Sequence, residues 1–302
     1  MNELRFDGKS VIVTGAGRGF GRAHAMAFAA RGARVVVADY GTNVDGTGSS
    51  SEPAQTVAKE IDAAGGEAVA CFASVADEAS SASIVETALD AFGGVDIVVN
   101  NAGICDPQFL ADMTTEQFRR MQDTHYLGTV NVTKAAWPHL LAAPNGCVVN
   151  TTSEAILGNV PKSTAYSAAK GAVFSFTRAL ALDSRPHGIR VNAVAPRGMT
   201  RMSDPPMLAR VFDQPEEMFI NPFYEAMTPE LVSPAVVYLA HESCPLNGEV
   251  LICGGGRVVR MAVIETNGIT REKMAPEDIA ESLDEVMDTT DAQVCGLDMP
   301  NP

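Results

Sequence analysis

Short apolar runs alternate with longer helical stretches along this chain, and that alternation constrains its fold more than any other feature. Val11-Ile12-Val13 leads to a helix around 20–31, Val35-Val36-Val37 to one around 53–64, and Ala68-Val69-Ala70 to one around 77–92. Ile97-Val98-Val99 precedes a long helix around 115–142, and Val148-Val149 precedes a helix carrying Tyr166. Val191-Asn192-Ala193-Val194 and Val250-Leu251-Ile252 close the series. A parallel strand returns to its sheet through a crossover of a dozen or more residues, usually a helix, and is apolar on both faces. The pattern therefore predicts an α/β fold, a doubly wound parallel sheet of about seven strands with helices on both faces. The 302 residues suit one large domain, or one with an appendage, and no linker divides the chain in two.

Composition removes several classes of function. A formal net charge of −15 opposes binding to a phosphate backbone, so nucleic acid is not an expected partner. No run of about 18 apolar residues is present to span a membrane. The first residues, Met1-Asn2-Glu3-Leu4-Arg5-Phe6-Asp7, do not have the pattern of a signal peptide. The six cysteines form no C-x-x-C pair and read as reduced residues of a cytoplasmic protein. The five histidines have no metal-ligand spacing, so no metal is expected.

Three stretches carry chemistry. The first strand runs into Thr14-Gly15-Ala16-Gly17-Arg18-Gly19-Phe20-Gly21, where glycines permit a tight turn and close approach of backbone N–H groups to a pyrophosphate at a helix N-terminus. Asp39 ends the second strand, where a carboxylate accepts hydrogen bonds from the adenosine ribose of NAD and repels the extra phosphate of NADP. Arg18 is a conflicting sign, because a cation there could bind that phosphate, and Asp39 could also be an ordinary turn residue. Asn100-Asn101-Ala102-Gly103 places small residues at the end of the fourth strand, fitting either close approach to a flat cofactor or a simple turn. Tyr166 and Lys170, four apart, project from one helix face one turn apart. A neighbouring ammonium favours the phenolate and makes a tyrosine a usable general acid/base. Alone, that spacing also fits an ordinary surface pair. Ser153 ends the apolar run from Cys147 and presents a hydroxyl where open α/β sheets bind ligands. The Gly/Ser-rich insertion over 40–53 has the composition of a mobile surface loop.

Taken together, the glycine turn, Asn100-Asn101-Ala102-Gly103, Ser153 thirteen residues before Tyr166, and Lys170 resemble the short-chain dehydrogenase/reductases over about residues 6–256. The resemblance implies a Rossmann-type domain over residues 1–256 that binds a nicotinamide cofactor, NAD on the strength of Asp39. It implies that Ser153 polarises the substrate oxygen, Tyr166 moves the proton, and Lys170 holds the nicotinamide ribose and tunes Tyr166. Ser74 and Val75 would lie by the adenine, and Pro196 to Thr200, including Met199, would cover the nicotinamide carboxamide.

A narrower likeness is to the (3R)-hydroxyacyl-CoA dehydrogenase units of multifunctional β-oxidation enzymes. It rests on Asp39-Tyr40-Gly41 with the insertion, Ser74-Val75, Thr124-His125-Tyr126-Leu127-Gly128 and Pro196-Arg197-Gly198-Met199-Thr200-Arg201-Met202. The wider family usually has asparagine where His125 stands, as part of a proton relay, and glycine where Arg197 stands. His125 is thus an expected catalytic residue with an altered relay, and Arg197 meets an anionic substrate, covers the cofactor or is solvated. Pro276 opens an expected short amphipathic helix with Leu283, Val286 and Met287 on one face, within a C-terminal extension over 257–302. That extension is expected to pack on the same domain or on a neighbouring subunit.

These readings converge on an NAD-dependent oxidoreductase interconverting a secondary alcohol and a ketone. Met202, Met207, Phe212, Met218, Phe219, Phe223 and Met227 suit a lid over a bulky lipophilic small molecule, such as a 3-hydroxyacyl-CoA or a steroid. The alternatives are a catalytically silent nucleotide-binding regulator and an NAD-using epimerase or dehydratase. The Tyr166 helix is apolar on nearly every side through Leu182, which predicts a homodimer or homotetramer.

Overall fold

The structure, a computed structural model, describes residues 3–297. Seven strands pair in parallel as predicted: β1 (Ser10–Thr14), β2 (Arg34–Ala38), β3 (Glu67–Cys71), β4 (Ile97–Asn100), β5 (Cys147–Thr151), β6 (Arg190–Pro196) and β7 (Val250–Gly254). An eighth, β8 (Arg257–Met261), lies beside β7, and the order is β3-β2-β1-β4-β5-β6-β7-β8. The expected count of about seven is therefore corrected to eight. Gly255 and Gly256, at φ +57° and +76°, form the two-residue turn that feeds β8, a conformation glycine adopts without strain. Charged Arg257 and Arg260 interrupt its apolar residues, and four of its five residues are not buried, so no apolar run announces it.

Alternate strand residues face opposite helical layers. Val11, Val13, Val35 and Val37 pack with Phe28 of α1 (Gly19–Ala29), Val57 and Ile61 of α2 (Glu52–Ala63), and with Leu239. Each such fully buried side chain contributes about 1.5–3 kcal/mol. The chain leaves β1 toward β2 and β3 through α1 and α2. It then returns through α3 (Glu78–Phe92) to β4, on the other side of β1. That reversal opens a crevice at the carboxyl ends of β1 and β4, where ligands of such sheets bind.

The expected long helix over 115–142 is three pieces: α4 (Thr115–Gln122), a π-helical turn (Asp123–Leu127) and α5 (Gly128–Ala142). Thr114 and Gln117 form a reciprocal capping box at its start. α6 (Thr164–Ser184) follows β5, and α7 (Pro205–Phe212), α8 (Pro222–Glu225) and α9 (Ser233–Ala240) lie between β6 and β7. Among the described residues, no helix is long and apolar enough to cross a membrane.

The chain divides into two compact units, Met1–Val259 and Arg260–Pro302. In the second, β9 (Ile264–Glu265) pairs antiparallel with β10 (Gln293–Val294). The single amphipathic helix expected after Pro276 is instead two, α10 (Pro276–Glu281) and α11 (Leu283–Met287), broken at Ser282. The 40–53 insertion, expected to be a free surface loop, is folded back on itself. Asn43 N donates to Thr47 O at 2.8 Å, Ser50 N to Tyr40 O at 3.1 Å, and Cys105 N to Val44 O at 2.7 Å. Composition does not reveal backbone partners of this kind.

Candidate active site

A cavity of about 760 Å³ occupies the crevice. Of the expected site residues, all but Gly21 line it: Ser153, Tyr166, Lys170 and His125; Gly15, Arg18, Gly19, Phe20 and Asp39; and Ser74, Val75, Asn101, Ala102, Gly103, Pro196, Met199 and Thr200. Gly21 stands behind the wall, where α1 meets the glycine turn. A Cβ there would lie 2.1 Å from the Gly15 carbonyl oxygen, so only glycine lets the helix approach this closely.

The glycine turn is braced from β4. Thr14 Oγ1 accepts the N–H groups of Asn101 and Ala102 at 3.0 and 3.1 Å, while Asn101 Nδ2 donates to the carbonyls of Thr14 and Gly15. Gly15 itself has φ +63°, and a Cβ on it would sit 2.7 Å from Ala102 Cα. Asp39 is no ordinary turn residue: its carboxylate accepts Gly17 N at 2.7 Å and Gly41 N at 2.6 Å. It thereby joins the glycine turn to the insertion, and each oxygen keeps acceptor capacity beyond these bonds.

At the end of the cavity that holds the expected catalytic residues, Lys170 Nζ donates to Thr151 O at 2.6 Å, and Thr152 Oγ1 donates to Lys170 O at 2.8 Å. Together these bonds pin the first turns of α6 to the end of β5. Ser153 lines the cavity beside Tyr166, and its Oγ accepts Ala155 N at 3.2 Å. The lysine head lies 5.8 Å from the centre of the Tyr166 ring. Burial lowers Lys170 to about 7. Burial also raises the Tyr166 phenol, with the nearby Cys105 thiol adding to it and the Ser153 hydroxyl opposing it. The expected depression by Lys170 is thus not what this geometry yields. Burial costs both charged forms, and the lysine turns its protons to a carbonyl rather than to the phenol.

His125 sits in the π-helical turn, a local distortion frequent at functional sites. Its ring meets Tyr166 edge-on with centroids 5.2 Å apart. Nε2 lies 2.8 Å from Ile104 O and 3.1 Å from Ile104 N, and one nitrogen cannot donate and accept at once. The shorter contact favours a proton on Nε2, which leaves Nδ1 a buried acceptor without a partner among the described residues. Burial, reinforced by Lys170, holds the ring well below the usual histidine range, so it is neutral.

Residues to which the sequence reading gave no bonding partner complete the site. Asn100 Nδ2 donates to Thr133 Oγ1 and Asn150 Oδ1, and Asn150 Nδ2 to Thr177 Oγ1, a buried polar chain tying β4 and β5 to α5 and α6. The asparagines inside the apolar runs were the available signal. Arg197, whose role was open, pairs bidentately with Glu154 at 2.5 and 2.6 Å. Asp106 accepts from Gln117 and Arg210, and Lys162 reaches Asp213 and the Arg210 carbonyl, fastening α7 from two directions. Of the expected lid residues, Met202, Phe212 and Met227 line the cavity. Phe219 is buried beneath them, Met218 and Phe223 face outward, and Met207 is off the wall.

Comparison with known proteins matches residues 9–210 to the short chain dehydrogenase family. The chain is 38% identical over 294 residues to mouse peroxisomal multifunctional enzyme type 2, covering 96% of this chain and 38% of that enzyme. It is 38% identical over 289 residues to a putative short-chain type dehydrogenase/reductase of Mycobacterium tuberculosis, covering 95% and 96%. A 7α-hydroxysteroid dehydrogenase solved with NADH and 7-oxo glycochenodeoxycholic acid superposes with a TM-score of 0.71 at 28% identity, covering 85% and 98%. The chain belongs to the short-chain dehydrogenase/reductase family and resembles its multifunctional-enzyme branch.

Proposed function

We propose that this chain interconverts a bulky lipophilic secondary alcohol and its ketone with NAD as the cofactor. The observation that supports it most is the convergence of Ser153, Tyr166 and Lys170 in one cavity whose far end carries Asp39. The residues fit a dinucleotide: a glycine turn that admits no Cβ, a carboxylate with lone pairs for ribose hydroxyls, and small residues after β4. When bound, the nicotinamide supplies the two-electron hydride acceptor or donor.

The chain's own residues manage the proton and the developing charge. Ser153 Oγ donates to the substrate oxygen, where negative charge accumulates during reduction or departs during oxidation. Tyr166 Oη takes the hydroxyl proton or returns it. Lys170 favours the phenolate when it is an ammonium, and at a pKa of about 7 it is near half protonation at neutral pH. His125 we assign as a brace on Tyr166 through Ile104, with Nδ1 as an acceptor in a proton relay.

Met202, Leu208, Val211, Phe212 and Met227 offer the substrate apolar cover. Arg197, beside Ser153 on the cavity wall, is already paired with Glu154, which supports an uncharged lipophilic body at the substrate end. A steroid or a 3-hydroxyacyl group are the leading candidates, in line with the names of the relatives. Residues 1–256 form the catalytic domain in this reading, and the free cysteines suit a reducing compartment such as the cytoplasm. The outer face of α6, with Ala168, Ala179 and Leu182 exposed, supports pairing with a second copy in a dimer or tetramer.

Growth of reduced-nicotinamide fluorescence with a panel of secondary alcohols tests the activity. NAD is expected to exceed NADP in kcat/KM, and lipophilic alcohols to exceed short polyols. Comparable kcat/KM for NADP would remove the cofactor assignment, and turnover of hydrophilic polyols alone would remove the substrate class.

A further inference from the structure

Among the cavity-wall cations that the reading above leaves unused, Arg18 and Arg201 stand on adjoining segments. Arg18 directly precedes Gly19 in the glycine turn, and Arg201 directly follows Thr200 after β6. These two segments touch, since a Cβ on Gly19 would lie 3.2 Å from Thr200 Cγ2. Both arginines line the same cavity as Asp39. Arg201 Nη1 donates to the Thr42 carbonyl at 2.8 Å, inside the 40–53 insertion. Among the described residues, its Nε and Nη2 have no partner, and the Arg18 guanidinium has none at all.

The local charges do not balance. Burial opposes the charge of Arg201 first, and the Arg18 guanidinium adds to that opposition. Asp39 is the acidic group in their field, but both its oxygens already accept backbone N–H groups. Two guanidiniums against one carboxylate leave a net positive charge at this end of the cavity, with Arg201 part-buried and Arg18 exposed at its rim. Guanidinium forks are suited to phosphate oxygens, which they bind through paired charge-assisted hydrogen bonds.

We propose that Arg18 and Arg201 form a two-sided clasp on the bridging pyrophosphate of an adenine dinucleotide, with Arg201 also fastening the 40–53 insertion over it. This rests on the dinucleotide reading above. It leaves Asp39 to the ribose and gives Arg18 a use that does not require a 2′-phosphate. Its contact with Thr42 places Arg201 beside the segment that follows β2.

Equilibrium titration with NADH, NADPH, ADP and adenosine tests the clasp on wild type, Arg18→Met and Arg201→Met, without any turnover. Each substitution is expected to weaken NADH and ADP roughly tenfold or more, since each removes charge-assisted bonds to phosphate. Adenosine should change less than about twofold, and the salt dependence of ADP binding should flatten. If adenosine weakens in step with ADP in Arg201→Met, that arginine acts only by holding the insertion, and the clasp is wrong. If the loss is confined to NADPH, the pair serves a 2′-phosphate and the pyrophosphate assignment is wrong. Unchanged ADP affinity in Arg18→Met overturns it even should Arg201→Met fail to fold. A wild type that binds none of the four overturns the dinucleotide reading first, and the clasp with it.

Discussion

Replacing Gly21 with alanine sets helix propensity against packing at the cofactor cradle. Alanine is favoured over glycine within a helix by up to about 1 kcal/mol, so propensity alone makes Gly21→Ala stabilising. The added Cβ, however, would lie 2.1 Å from the Gly15 carbonyl oxygen, 2.6 Å from Asn101 Nδ2 and 2.7 Å from the Gly15 carbonyl carbon. A carbon–oxygen contact of this type settles near about 3.3 Å, so α1 must withdraw by roughly 1 Å. Neither obstacle can swing aside. One is backbone, and the other is an amide bonded to the Thr14 and Gly15 carbonyls. Overpacking of this kind costs about 1–3 kcal/mol, which outweighs the propensity gain and leaves a net loss of up to about 2 kcal/mol. A chain of this size should then melt about 2–4 °C lower. Binding should suffer more, because the N-terminus of α1 moves away from the turn that faces the cofactor, and NADH affinity should fall tenfold or more. Thermal unfolding and NADH fluorescence titration read the two effects separately. A variant that melts higher than wild type and binds NADH equally well would refute the packing argument.

The remaining predictions concern the core, the buried lysine and the assembly. Asn150→Ala removes bonds to Asn100 and Thr177 inside the sheet, and should cost about 2–4 kcal/mol as a lowered urea midpoint with an unchanged slope. A shift under about 0.5 kcal/mol would show the network to be dispensable. Burial lowers Lys170 to about 7 in the folded chain, whereas an unfolded lysine titrates near 10.4, so between these values the unfolded state holds the extra proton. Stability should therefore rise with pH above about 7, by up to about 1.4 kcal/mol per unit, and this slope should vanish in Lys170→Met. The comparison belongs between about pH 7.5 and 8.5, above the histidines and below most cysteine ionisation, and equal slopes would contradict the burial of a lone ammonium. If copies pair through the exposed face of α6 as proposed, Ala179→Arg places a charge in that contact and should yield monomers in light scattering where wild type is a dimer or tetramer. An unchanged assembled mass would mean that copies meet elsewhere.

Much of the fold was legible because parallel strands leave little choice of composition. Val35-Val36-Val37 and Ile97-Val98-Val99 are buried on both faces, so the sequence can hardly read otherwise. β8 escaped because an edge strand half in water does not need that pattern. The site residues were legible in identity but not in energetics. Tyr166 and Lys170 do share a helix face, yet burial raises the phenol and lowers the lysine, and burial is a property of the surrounding fold. The Glu154–Arg197 pair spans 43 positions, and no local pattern links its partners. The 40–53 insertion misled by composition. Glycine and serine mark flexible chain where nothing holds it, and here Asp39, Cys105 and Arg201 all do.

The central claim is that Tyr166 carries the proton in a site built for a nicotinamide dinucleotide. Tyr166→Phe removes one oxygen and leaves the ring packed against His125. The direct measurement sets the turnover of this variant on the best secondary alcohol from the panel beside its dissociation constant for NADH. The account predicts turnover reduced at least about 100-fold, the usual scale for loss of a general acid/base, with NADH affinity within about twofold of wild type. Retention of a tenth or more of the wild-type rate would contradict it.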